Sequence, residues 1–114
     1  MLKKTNRVLL NNDFDRAFKL GQSFYGQVLG CKVVNNNLNA TRLGILVSTK
    51  ISKKAPIRNK LKRQIREAFR GELPQLVGGK DVVIVVLKPI LDKEYQYIKD
   101  NLKSGLRNLK LYKK

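Results

Sequence analysis

Residues 57–70 read IRNKLKRQIREAFR, and a helix through them carries two faces of opposite character. Ile57, Leu61, Ile65 and Ala68 recur at spacings of three and four and form an apolar stripe, with Phe69 at its margin. Arg58, Lys62, Arg66 and Arg70 repeat at i, i+4, with Asn59 and Arg63 beside them. Like charges at that spacing destabilise a helix by roughly a few tenths of a kcal/mol per pair. Six basic residues stand against one glutamate in this stretch, and Lys50, Lys53 and Lys54 extend the charge upstream. A solvated helix face normally mixes both signs. This one points to a polyanion, whose binding would weaken steeply with salt.

The whole chain has the same bias. Its 114 residues amount to one ordinary domain, 1–114, of which residues 1–10 read as a basic arm. Twenty-five Lys and Arg against eight Asp and Glu give a net charge of +17, which favours nucleic acid or another anionic surface as partner. A membrane is the poorer choice, because the longest apolar run, Val82 to Leu87, falls far short of the about 18 to 20 residues needed to span one. Only Val8-Leu9-Leu10 follow the early lysines, so no signal-peptide core is expected, and the location expected is cytoplasmic. A single cysteine, Cys31, excludes an internal disulfide framework and leaves no disulfide partner.

Histidine is absent, which removes the commonest general base and metal ligand and any Cys-His pair or Cys/His zinc site. The carboxylates are scattered; Asp13 and Asp15, two apart, diverge on a helix. The sequence therefore predicts no catalytic side chain, no metal site and no cofactor held by the protein itself. An autonomous nuclease is disfavoured on the same ground.

Working outward from the basic helix, Asn12 is a candidate N-cap for a first helix that stops at Gly21, with Phe14, Ala17 and Phe18 on one face. On spacing alone these phenylalanines read as core; the functional alternative is that their edges line a groove where unpaired bases stack, worth about 1 to 3 kcal/mol per base. Ser23 to Val34 is β-prone and reads as a first strand, Asn35 to Asn39 as a turn, Arg42 to Thr49 as a second strand, and Val82 to Leu87 as a buried strand ended by Pro89. Tyr95, Ile98, Leu102, Leu106 and Leu109 form the stripe of a last helix beginning near Asp92 or Lys93, in which Gly105 marks a close approach of another element. Tyr97 and Tyr112 read as surface residues, and Cys31 as a strand filler.

In order and spacing these segments resemble the protein subunit of bacterial ribonuclease P. The resemblance rests on Asn12-Asp13-Phe14 with Ala17-Phe18 and Gly21, on Leu43 to Lys50, on the long signature Arg58 to Phe69, and on Asp81 to Pro89. It implies an α+β fold, a single-domain αβββαβα sandwich like that of a ribosomal protein, with a left-handed βαβ crossover, a handedness rare among proteins. It implies as partners ribonuclease P RNA and precursor tRNA, with the chemistry carried by the RNA and its Mg2+ ions, and removal of the 5′ leader as the outcome. Lys50, Lys53, Lys54, Arg58, Asn59, Lys60, Lys62, Arg63, Arg66 and Arg70 would then contact RNA, while Phe14, Phe18, Lys32 and Ser48 would line the cleft for the single-stranded leader. Three residues depart from the family pattern: Lys60 replaces an arginine, Thr49 a lysine, and Lys32 stands where some relatives carry an aromatic. Leader binding is accordingly expected to lean more on charge than on stacking. A ribosomal or general structural RNA-binding protein is the alternative that shares the charge.

Overall fold

The computed structural model describes residues 11–113, with side chains from Phe14 to Lys113; the expected arm at 1–10 and the side chains of Asn12 and Asp13 lie outside the described residues. The elements run α1 (Asn11–Leu20), β1 (Gln22–Tyr25), β2 (Leu29–Asn35), β3 (Arg42–Leu46), α2 (Ala55–Glu72), β4 (Lys80–Val86) and α3 (Tyr95–Asn108). This is the α+β order αβββαβα. The four strands form one sheet in the order β1-β2-β4-β3, with β1, β2 and β4 antiparallel neighbours and β3 parallel to β4 through the α2 crossover. β4, KDVVIVV, is almost continuously apolar because a central strand covered on both faces has no solvent side to keep polar.

One face of the sheet carries the main core. Leu29, Cys31, Val33, Leu43, Val82, Ile84 and Val86 pack against Leu61, Ile65, Ala68 and Phe69 of α2 and Ile98, Leu102 and Leu106 of α3. The other face carries α1, where Ala17 and Val83 are buried with Phe14, Val34, Leu46 and Val85 packed around them. At one end of that face Asp81 is fully buried, its carboxylate accepting two hydrogen bonds from Arg42 (2.8 and 2.7 Å) and one from Asn36 (2.9 Å). A buried carboxylate is tolerable only when so neutralised and hydrogen-bonded.

Several local expectations are corrected. Ser23–Val34 is two strands of a hairpin: the Gly26 amide donates to the Leu29 carbonyl at 2.9 Å, and Asn101 of α3 accepts from the amides of Val28 and Leu29. That reversal depends on a residue more than 70 positions away, which strand propensity does not register. Asn12 lies inside α1 instead of capping it. Ile57 is exposed, since the first turn of α2 precedes the contact with the sheet, while Phe69 is completely buried and central to the stripe. The last helix starts at Tyr95 because residues 88–92, with Pro89 in the first turn, form a 3-10 turn first. Tyr95 is 38% exposed and not core; Tyr97 and Tyr112 instead pack against the core, and the Tyr112 hydroxyl donates to Glu72 at 2.8 Å. Gly105 does mark a close approach: a Cβ there would lie 2.6 Å from the Cys31 sulfur. Among the described residues no helix is long and apolar enough to cross a membrane.

Candidate nucleic-acid interface

The loop from β3 into α2 is tied by short serine bonds. The Ser48 hydroxyl accepts from the Lys50 amide and the Ser52 hydroxyl from the Lys54 amide, both at 3.2 Å, while buried Ile51 anchors the segment. Such side-chain turns hold the backbone without a regular element and leave Lys50, Lys53 and Lys54 exposed. α2 then begins with Lys54 as N-cap, without a side-chain cap hydrogen bond, with Pro56 in the first turn and no acid there. The positive end of the helix dipole thus meets further positive charge, the opposite of the usual stabilising arrangement.

Each helical residue advances about 100°. Around the buried stripe, Arg58, Lys62 and Arg66 climb one flank; Lys60 and Gln64 climb the other; Asn59, Arg63 and Arg70 point outward. Gln64, Arg63 and Glu67 border Tyr95 of α3 in a shallow depression, so the Lys62–Arg66 flank turns away from α3. α3 packs on β1 and β2, which places that flank over the β3 edge of the sheet, beside the lysine-bearing loop. Arg58 joins the two, its guanidinium donating to the Ser52 carbonyl at 2.9 Å. Arg70 is engaged with Glu67 at 2.9 Å, and that hydrogen bond holds the Glu67 carboxyl below its ordinary range. Among the described residues Lys62, Arg63 and Arg66 form no ion pair. Apart from Glu67, the described carboxylates sit elsewhere: Asp15 on α1, Asp81 under Arg42, Glu72 with Tyr112 and Lys103, and Asp92, Glu94 and Asp100 in and before α3.

The second candidate surface lies on the α1 face of the sheet. Lys32 of β2 projects between elements, its ammonium donating to the Ser23 hydroxyl at 2.8 Å and lying 5.4 Å from the Phe18 ring centroid and 5.5 Å from that of Tyr25. Phe18 is 43% exposed and Tyr25 60%. Of the four residues expected in this cleft, Phe18 and Lys32 meet. Phe14 sits one turn back in the α1–sheet contact. Ser48 follows β3, which lies two strand spacings from β2, about 10 Å across the sheet, and its hydroxyl is engaged by the Lys50 amide at the start of the basic loop. Tyr25 is a residue that sequence reasoning misses. Its only signal is the alternation of Ser23 and Tyr25 on one side of a short strand, which disappears when Ser23–Val34 is read as a single strand. Among the described residues no group of three or more His, Cys, Asp or Glu side chains could hold a metal ion.

The ribonuclease P family model matches residues 2–110. The chain is 38% identical over 112 residues to the ribonuclease P protein component of Pseudanabaena sp. (strain PCC 6903), covering 97% of each chain. It is 33% identical over 110 residues to that of Clostridium botulinum (strain 657 / Type Ba4), covering 96% of this chain and 98% of the relative. Its structure is similar to the Staphylococcus aureus RNase P protein, with a TM-score of 0.88 at 32% identity over 96% of this chain and 100% of that one. It is also similar to the RNase P protein from Thermotoga maritima, at 0.78 and 31% over 86% and 92%. With an αβββαβα sandwich, a basic second helix and a match that runs nearly end to end, the chain belongs to the ribonuclease P protein family.

Proposed function

We propose that this chain works in tRNA 5′ processing by holding two RNA segments at once: ribonuclease P RNA along the β3 edge and the single-stranded 5′ leader of precursor tRNA in the α1 cleft. The observation that carries the reading is the separation of two unlike surfaces. The β3 edge is almost purely cationic, with Lys50, Lys53, Lys54, Lys62 and Arg66, the outward Asn59 and Arg63 nearby and Lys60 on the opposite flank of the same helix, as suits a folded phosphate backbone. The cleft combines Lys32 with exposed aromatic rings, as suits unpaired bases. A structural protein that only packs on a folded phosphate backbone needs the first surface alone. The protein supplies no acid, base or nucleophile to the cleavage in this reading; the bond is broken in the RNA subunit, where Mg2+ is held. The protein's own work is to screen phosphates and to retain the leader, and the location that fits is the cytoplasm.

The direct test is cleavage of precursor tRNA at low Mg2+ by the cognate ribonuclease P RNA, with and without the protein. Strong stimulation with cuts at the mature 5′ end is the expected result. Tight RNA binding without stimulation would replace this reading with a general RNA-binding one. Lys62→Ala with Arg66→Ala should also flatten the salt dependence of RNA affinity. Each phosphate that the double variant no longer neutralises should remove about 0.7 to 0.9 log units per log of salt from the slope.

A further inference from the structure

Tyr25 and Gly30 face each other in the antiparallel β1–β2 register. The tyrosine ring lies directly over the glycine: a Cβ at Gly30 would stand 2.7 Å from both Cδ1 and Cε1 of Tyr25. Any side chain at position 30 would displace the ring. Covering a glycine's backbone is a known structural use of an aromatic on a neighbouring strand, and it accounts for where the ring rests. It does not account for Lys32, whose ammonium is held by Ser23 within range of both the Tyr25 and Phe18 rings, nor for a tyrosine that remains 60% exposed. An ammonium beside two open aromatic surfaces, contributed by α1, β1 and β2, matches a dinucleotide step: phosphate on the cation, flanking bases on the rings.

We infer that Tyr25 is a second base-stacking residue of the leader cleft, seated by Gly30, and that it supplies from β1 the aromatic surface that position 32 of β2 lacks in this chain. The inference rests on the leader-binding reading. It also changes that reading's balance. The lysine at position 32 does not trade stacking for charge; it adds charge between two rings while the second ring comes from the adjacent strand. The ligand recognised is an unpaired base of single-stranded RNA with a neighbouring phosphodiester. Tyr25 makes the stacking contact, and Gly30 acts only by giving the ring its seat.

The test uses the holoenzyme reconstituted with its cognate RNA, measuring affinity for precursor tRNA with a leader and for the same tRNA without one. Tyr25→Ala should lower the leader-dependent gain about tenfold, while Tyr25→Phe retains it. Gly30→Val, which keeps the tyrosine but evicts its ring, should lose the gain as Tyr25→Ala does, with circular dichroism verifying that each variant is folded. Leaders made abasic at single positions sharpen the result: at one position the missing base should cost the wild type as much as Tyr25→Ala does and cost that variant nothing. If the wild type gains from the leader and folded Tyr25→Ala gains equally, Tyr25 is only a cover for Gly30 and the inference is overturned while leader binding stands. If the wild type itself gains nothing from a leader, both are overturned.

Discussion

On the face of the sheet that meets α2 and α3, Leu29, Cys31, Val33, Leu43, Val82, Ile84 and Val86 are no more than 6% exposed. On the face that meets α1, the hydrophobic side chains so enclosed are Ala17 and Val83, while Phe14, Val34, Leu46 and Val85 are half-buried and Phe18, Lys32 and Tyr25 reach the surface. One ten-residue helix cannot cover four strands. The uncovered part of that face is the cleft. The same sheet therefore uses its two sides differently: one side supplies the hydrophobic stabilisation, and the other can keep exposed rings because the fold does not depend on them.

The largest effect that would break this contrast concerns the two phenylalanines. Phe69→Ala, in the α2–α3 core, should cost about 3 to 5 kcal/mol in urea unfolding, whereas Phe18→Ala should cost under about 1 kcal/mol. Comparable losses would mean that the α1 face carries the fold as well. Next in size is Gly105→Ala. A helix normally gains roughly 1 kcal/mol from this change, but the new methyl would press on the Cys31 sulfur, so a net loss of about 1 to 3 kcal/mol is expected. A rise in melting temperature would show that α3 leaves room for a methyl group above Cys31.

The smallest effect concerns Cys31 in the same core. Burial pushes its thiol from 9.0 up to about 12. The folded protein then keeps a proton that the unfolded chain releases, so this contribution is intact below about pH 9 and is lost as pH rises toward 12, at about 1.4 kcal/mol per pH unit. Tyr112, raised chiefly by burial and then by Glu72, acts in the same direction. The stability of Cys31→Ala should fall less steeply than that of wild type between about pH 9 and 10.5. Parallel slopes would place the thiol in contact with water.

Much of the core face was legible because its signals are local. The 3.6-residue period of Leu61, Ile65 and Ala68 lies against a charged opposite side, and the Val/Ile run of β4 admits no exposed face. Where periodicity failed, an end effect or a distant partner was responsible. Ile57 and Tyr95 keep the period but begin their helices beyond the reach of the sheet. The β1–β2 reversal is secured by Asn101 of α3, and the turn at Gly26 and Gln27 lacks the Asn-Gly type of signal that marks a tight hairpin. Register is the deeper obstacle on the α1 face. A strand shifted by one residue turns every side chain over, so Tyr25 could be set beside Gly30 and Lys32 only once the pairing was known.

The sequence by itself determined the cationic helix, the buried β4 strand and the absence of histidine chemistry, because composition and periodicity are properties of neighbours along a chain; the resemblance to ribonuclease P proteins implied the αβββαβα order, which strand propensity alone left one strand short. Tertiary structure decided which cations stand together, joining Lys50, Lys53 and Lys54 to Lys62 and Arg66 through Arg58 and Ser52, while Glu67 engages Arg70. It also brought Tyr25 to Lys32. Those distances follow from strand order and register, which are fixed by how the two faces of the sheet are covered and not by any stretch of residues read alone.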